Sequence, residues 1–232
     1  MIIVFSGTDG AGKSTHITTL NERLQSKCRR TCVLWARGGY TPLMLTMKSA
    51  VLTLLGRRGD TKGFDKDGSA KYVKRRAGMM RRPLVARIWL ASAIIDLILL
   101  YGIYVRFLSL TGTAVICDRY VGDTRIDFER NFSDQFNPSG ALWRLLGLVA
   151  PKPAIHFVLT VPVAVSQERS RLKNEPFPDD EETLAFRYGK YRALAEFKGP
   201  GLIRLDGTAP LAEVSERILA AVRGLPRIGD LG

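Results

Sequence analysis

Short, uninterrupted apolar runs alternate along this chain with longer stretches in which apolar residues recur at helical spacing. Residues 2–6, 31–35, 113–117, 154–160 and 202–205 are brief, rich in β-branched residues and bounded by glycine, proline or polar positions, which predicts buried strands. Between them, residues 12–26, 42–55, 83–109, 138–149, 162–173, 180–197 and 210–222 read as helices. Several of these open on proline, whose missing N–H costs nothing at a first helical position. The alternation predicts a doubly wound α/β fold, a five-stranded parallel sheet with helices on both faces, whose ligand sits at the carboxyl ends of the strands. No internal repeat or low-complexity tract interrupts it, so residues 1–232 read as one domain.

The run 88–110 is apolar enough to suggest a membrane span. Asp96 near its centre and Arg106 near its end oppose that, because a charge at a bilayer midplane costs about 3 kcal/mol on insertion scales. A long helix packed across the sheet accounts for the same residues, and shallow association with an acidic membrane surface stays open.

Composition narrows the class without changing the fold. At 46% hydrophobic and 25% charged, the 232 residues exclude disordered, collagen-like and coiled-coil chains. Three cysteines and two histidines cannot assemble a structural zinc site, and Cys28 and Cys32 read as plain thiols. The N-terminus carries no basic region ahead of an apolar stretch with a small-residue cleavage site, so the expected location is the cytoplasm. Charge is the unusual quantity. The chain carries +13, and eleven basic residues against three acidic ones place +8 of it within residues 56–87. Such a field attracts anionic partners. Five glycines and few apolar anchors mark residues 56–82 as an expected mobile segment.

The most informative stretch is Gly7-Thr8-Asp9-Gly10-Ala11-Gly12-Lys13-Ser14, which fits G-x-x-x-x-G-K-[ST] between an apolar strand and an amphipathic helix. Glycines let successive backbone N–H groups converge on a phosphate, and the following helix aims its positive end at the same point. In that reading Gly7, Asp9, Gly10, Ala11, Gly12, Lys13, Ser14 and Thr15 bind ATP, Lys13 reaches the β- and γ-phosphates, and the Ser14 hydroxyl ligates Mg²⁺. The third strand ends in Val115-Ile116-Cys117-Asp118-Arg119-Tyr120. It delivers the Asp118 carboxylate toward the metal position, followed by an arginine suited to a second phosphate.

With a lid-like Glu168-Arg169-Ser170-Arg171, the downstream Tyr188 and Tyr191, and a closing Arg204-Leu205-Asp206-Gly207-Thr208, the chain resembles the thymidylate kinase family of nucleoside monophosphate kinases. The resemblance implies roles residue by residue. Asp9 faces the acceptor, Arg37 after the second strand and Arg119 hold the acceptor phosphate, and Asp206 lies on the ATP side. Because Gly10 stands where some members carry a catalytic arginine, that charge is expected from the lid, residues 169–180, with Arg169 and Arg171 as candidates. Two residues apart on a helix, they do not share a face.

The departures gather on the acceptor side. Ser6 stands where the family carries a glutamate before the first loop glycine. Near residues 91–96, where a base-contacting arginine is expected, the chain has Ile94, Ile95 and Asp96, and beyond Asp118-Arg119-Tyr120 the family's serine and amide or aromatic base readers give way to Asp123, Thr124, Arg125 and Asp127. Asp96, Asp123 and Arg125 are therefore the remaining acceptor candidates. The expectation is an ATP- and Mg²⁺-dependent kinase acting on a small phosphorylated acceptor that is not thymidylate. Two alternatives stay open: a kinase for a sugar phosphate or nucleoside, and a P-loop NTPase binding nucleic acid or an acidic membrane surface. A homodimer is likewise left open.

Overall fold

The computed structural model describes residues 1–27, 29–36, 38, 82–173, 179–196 and 201–225. Its described elements run β1 (Ile2–Gly7), α1 (Lys13–Ser26), β2 (Thr31–Trp35), α2 (Pro83–Leu110), β3 (Ala114–Asp118), α3 (Val121–Asn131), α4 (Ala141–Val149), β4 (Ile155–Thr160), α5 (Val163–Leu172), α6 (Glu181–Glu196), β5 (Leu202–Asp206) and α7 (Leu211–Arg223). The expected helix at 42–55, Cys28, Arg37 and all of the basic segment 56–82 except Arg82 lie outside the described residues.

The five strands form one parallel sheet in the order β2-β3-β1-β4-β5, as the alternation of elements implied. β1 is buried throughout, because both faces of the sheet are covered and a strand in that position needs apolar side chains in both directions. Ile3 and Phe5 face Leu20 and Leu24 of α1 and Ile218 and Val222 of α7. Ile2 and Val4 face the opposite layer, with Leu90 and Leu97 of α2, Phe128 of α3 and Leu146 of α4. Period-two alternation thus serves two cores at once.

From β1 the chain crosses to the edge strand β2, comes back to β3 beside β1, then passes to β4 on the other side of β1 and outward to β5. Strands β3 and β4 therefore flank β1 and diverge from it at their carboxyl ends, the topological switch point where open α/β sheets leave a crevice.

α2 lies across the sheet as the sequence implied. It contains a π-helical turn, Leu100–Val105, where Gly102 lets α4 approach; a Cβ there would meet Val149 Cγ2 at 3.2 Å. Asp96 is buried on its inner side at 4% exposure. α3 is a correction to the pattern reading, which left residues 121–131 outside any helix. Gly122, Thr124 and a run of charges hide its periodicity, and what starts it is Asp123, whose Oδ2 accepts the Tyr120 N–H at 2.8 Å.

Candidate active site

The loop between β1 and α1 is shaped by backbone demands that only its own residues meet. Gly7 sits at φ +136°, and a Cβ there would fall 1.7 Å from the Leu159 carbonyl oxygen, so no larger residue fits beside β4. The Thr8 N–H donates to that same carbonyl at 3.1 Å, while Thr8 Oγ1 accepts the Val161 N–H at 3.0 Å. On the other flank, the Arg169 guanidinium on α5 donates to the carbonyls of Gly10 at 2.7 Å and Gly207 at 3.0 Å. Ser166 Oγ donates to the Asp9 carbonyl at 2.7 Å. α5 and the end of β5 thus clamp the loop from outside.

Inside the loop, Lys13 Nζ donates to the carbonyls of Gly7 at 3.0 Å and Thr8 at 2.7 Å and lies 3.8 Å from Asp9 Oδ1. Burial lowers its pKa to about 8, helped by the nearby Arg119 and resisted by Asp9, Asp118 and Asp123. Ser14 and Thr15, at the first turn of α1, are exposed.

Asp118 ends β3 half-buried, and its Oδ1 is buried with no hydrogen-bond partner. Burial raises its pKa against the pull of Lys13 and Arg119. An unmatched carboxylate oxygen at the end of β3 and an exposed serine hydroxyl at the start of α1 are donors suited to a hard divalent cation that takes its other ligands from phosphates and water. Among the described residues no group of three or more His, Cys, Asp or Glu could hold a metal alone. Ser14 and Asp118 fit Mg²⁺ in that shared sense.

Arg119 is held in the left-handed region at φ 76°, a sparsely populated conformation for a residue with a side chain, and its N–H donates to the Phe5 carbonyl at 2.8 Å. The turn swings its guanidinium back over the loop, where it donates to Asp9 Oδ1 at 2.6 Å and to the Tyr191 hydroxyl at 3.2 Å. Burial works against its charge, but Tyr191, Asp9, Asp123 and Asp127 outweigh that and hold it protonated.

A second guanidinium that the sequence reading did not single out meets the same carboxylate. Arg187 of α6, 5% exposed, donates to Asp9 Oδ2 at 3.0 Å and Asp127 Oδ1 at 3.0 Å, and also pairs with Asp179. Tyr191, one helical turn on, donates to Asp123 Oδ1 at 2.7 Å; Asp123 Oδ2 takes the Tyr120 N–H and the Ser6 hydroxyl, and His156 Nε2 lies 2.7 Å from Ser6 Oγ. Burial keeps the His156 pKa below its ordinary value, against the pull of Asp123. One continuous polar network therefore runs from β4 through β1, α3 and α6 to the loop.

That network resolves two departures noted separately in the sequence. Beside Ser6, where the resemblance implies a glutamate, the neighbouring carboxylate is Asp123 of α3, which accepts the Ser6 hydroxyl. Asp123 is 1% exposed with both oxygens on protein donors, so it forms the wall of the site. Arg125 points elsewhere, pairing with Glu129 at 2.7 Å, and Asp96 sits in the α2 core near Tyr101. Of the two lid arginines, Arg169 reaches the loop while the exposed Arg171 pairs with Glu168 at 3.0 Å. Asp206 accepts from Thr208 N–H at 2.8 Å and from its hydroxyl at 2.7 Å. It lines a cleft of ≈ 390 Å³ with Thr160, Tyr188, Arg204 and Arg217.

No protein-family model matches the chain. Curated relatives do. The thymidylate kinase of Rhodopseudomonas palustris is 26% identical over 230 residues, covering 95% of this chain and 87% of the relative. That of Nitrobacter winogradskyi is 27% identical over 230 residues, 95% and 86% of the two chains, and that of Lacticaseibacillus casei 26% over 219 residues, 91% and 90%. This chain is thymidylate kinase-like. Its likeness to thymidylate kinases extends over most of the chain and points to nucleotide-kinase phosphoryl transfer.

Proposed function

We propose that the chain transfers the γ-phosphoryl group of ATP, with Mg²⁺, to the phosphate of a small acceptor other than thymidylate. The observation that carries this reading is the meeting of Lys13, Asp118 and Arg119 at the carboxyl ends of β1 and β3, around a glycine-rich loop that leads into the N-terminus of α1. Lys13 and the N-terminus of α1 hold the β- and γ-phosphates, and Lys13 leaves the loop carbonyls for them. Arg119 orients the acceptor phosphate, joined there by Arg37, and Arg169 supplies positive charge at the transferring group. An acceptor oxygen forms the new bond to γ-phosphorus as the bond to the β–γ bridging oxygen breaks, and ADP leaves with that electron pair. Ser14 and Asp118 would hold Mg²⁺, which would supply neutralisation of phosphate charge there. Closure of residues 169–180 keeps water from the transfer. The compartment implied is the ATP-containing cytoplasm.

The ionic acceptor wall supports an acceptor other than thymidylate. Reading a pyrimidine edge takes donors and acceptors at fixed places, whereas Asp127 and Arg187 are engaged with each other. The test is product formation from ATP across thymidylate, other nucleoside monophosphates and sugar phosphates at equal concentration. One non-thymidylate acceptor turned over preferentially supports the reading. A hundredfold preference for thymidylate, about 2.7 kcal/mol, overturns its acceptor half; ATP hydrolysis stimulated by no small acceptor overturns the whole.

A further inference from the structure

On the reading of this side as the acceptor site, we infer that Arg187 of α6 joins Arg119 in a two-arginine clamp for the acceptor phosphate, and that Asp9 fills the clamp as a stand-in anion until the acceptor displaces it. Two guanidiniums from elements far apart in the chain converge on one carboxylate and take separate oxygens of it. Arg119 Nη2 donates to Asp9 Oδ1 at 2.6 Å, and Arg187 Nη1 donates to Asp9 Oδ2 at 3.0 Å. Lys13 Nζ approaches the same Oδ1 at 3.8 Å. A phosphate monoester offers paired oxygens to the same paired donors, with nearly two negative charges where the carboxylate has one.

Burial shows which partner can be exchanged. Arg119 and Arg187 are 7% and 5% exposed, while the Asp9 side chain keeps 29% of its surface open. Both arginines are fixed from behind. The Arg119 backbone is held at φ 76° and its Nη1 donates to the Tyr191 hydroxyl at 3.2 Å. Arg187 Nη2 donates to the buried Asp127 Oδ1 at 3.0 Å, and its Nη1 also pairs with Asp179. Turning Asp9 aside needs one short side chain to rotate, whereas displacing Arg187 breaks two further ion pairs. The Arg187 Nε is buried and finds no hydrogen-bond partner, so the protein alone does not satisfy this guanidinium.

The clamp also narrows the acceptor class. Three cations sharing one carboxylate favour a phosphate monoester dianion in its place. An unphosphorylated nucleoside or sugar brings no anion to replace Asp9 and would leave both arginines where they stand.

The test is calorimetric titration of inorganic phosphate into the full chain, alone and with the loop first filled by a non-transferable ATP analogue and Mg²⁺, for the parent, Arg187→Lys and Asp9→Asn. Arg187→Lys keeps the charge and loses the planar fork, so a diffuse positive field predicts no change. The clamp predicts phosphate affinity lower by about tenfold or more, the loss of one charge-assisted hydrogen bond. Asp9→Asn removes the competing anion and should raise phosphate affinity about tenfold. Should Arg187→Lys melt early, Asp9→Asn carries the decision. The clamp is refuted if folded Arg187→Lys binds phosphate as the parent does, if Asp9→Asn does not tighten binding, or if neither the parent nor Asp9→Asn binds phosphate. An analogue that does not bind would overturn the transfer reading and leave the clamp to be decided by the same two variants on phosphate alone.

Discussion

The two halves of the site are built from different materials. On the ATP side, the loop from Gly7 to Lys13 is held by backbone: carbonyls and N–H groups of Gly7, Thr8, Gly10, Leu159 and Gly207, gripped by two side chains of α5. On the proposed acceptor side, side chains do the holding. Asp9, Arg119, Asp123, Asp127, Arg187 and Tyr191 come from the loop, the end of β3, α3 and α6, and hold one another as a buried ionic network. A backbone site constrains a few residue types in a short span, so it survives divergence as a legible string. A side-chain network can exchange partners across elements as long as charge and hydrogen bonding balance, and the Ser6–Asp123 contact is a place to test such an exchange.

Substitutions on the two sides should therefore fail differently, and Lys13 gives the largest effect. Lys13→Met is expected to lower phosphoryl transfer about a thousandfold or more, because positioning and charge at the γ-phosphate are most of the catalysis. It should not lower the melting temperature at pH 7, because the amine's folded pKa of about 8 lies below its ordinary value of 10.5. Below pH 8 the fold carries a buried cation at a cost, and native stability rises as pH climbs from 8 toward 10.5 while the unfolded chain alone stays protonated. Turnover measured beside thermal melts checks both halves; a large drop in melting temperature would contradict the contrast.

Arg187→Ala should show the opposite balance. Removing it leaves Asp9, Asp127 and Asp179 without that cation, and breaking a buried ion pair costs about 3–5 kcal/mol. Denaturant melts should register that loss, and separate titrations should show the acceptor KM rising more than that for ATP. Equal weakening of both ligands would erase the distinction between the halves.

The Ser6 and Asp123 exchange is sharper still as a test of network logic. Ser6→Glu alone puts two carboxylates together in a buried place, and Asp123→Ser alone strips the partners from Tyr191 and the Tyr120 N–H. Each should destabilise by about 2 kcal/mol. The double substitution should recover at least half of the sum, a coupling of about 2 kcal/mol or more. Additive losses in a double-mutant cycle would show that the two positions do not substitute for each other.

The smallest effect concerns His156. Its folded pKa lies below the ordinary 6.5, so as pH falls through 6.5 the unfolded chain takes up a proton that the native chain refuses, and stability declines until the folded pKa is reached. His156→Gln should flatten the slope of unfolding free energy between pH 7 and about 5 by no more than one proton, about 1.4 kcal/mol per pH unit. An unchanged slope would assign the decline to His16, which burial shifts in the same direction.

What the sequence by itself determined is whatever neighbouring residues decide together. Strand and helix order followed from apolar periodicity, and the parallel sheet followed from that order, because each strand's burial on two faces is written into its own composition. The phosphate loop was legible for the same reason: glycine geometry and a helix start are local. α3 was not, since its first turn is set by a cap at Asp123 whose carboxylate is fixed by Ser6 and Tyr191 from distant elements. Nor was Arg187, an ordinary helix arginine in the string, buried only because α6 lays it over Asp9 and Asp127. Arg169 and Arg171 were indistinguishable until α5 turned one toward the loop and left the other in water. Which side chains share one buried place, and therefore which charges balance, depends on contacts more than a hundred residues apart in the chain; only the packed structure brings them within a few ångströms.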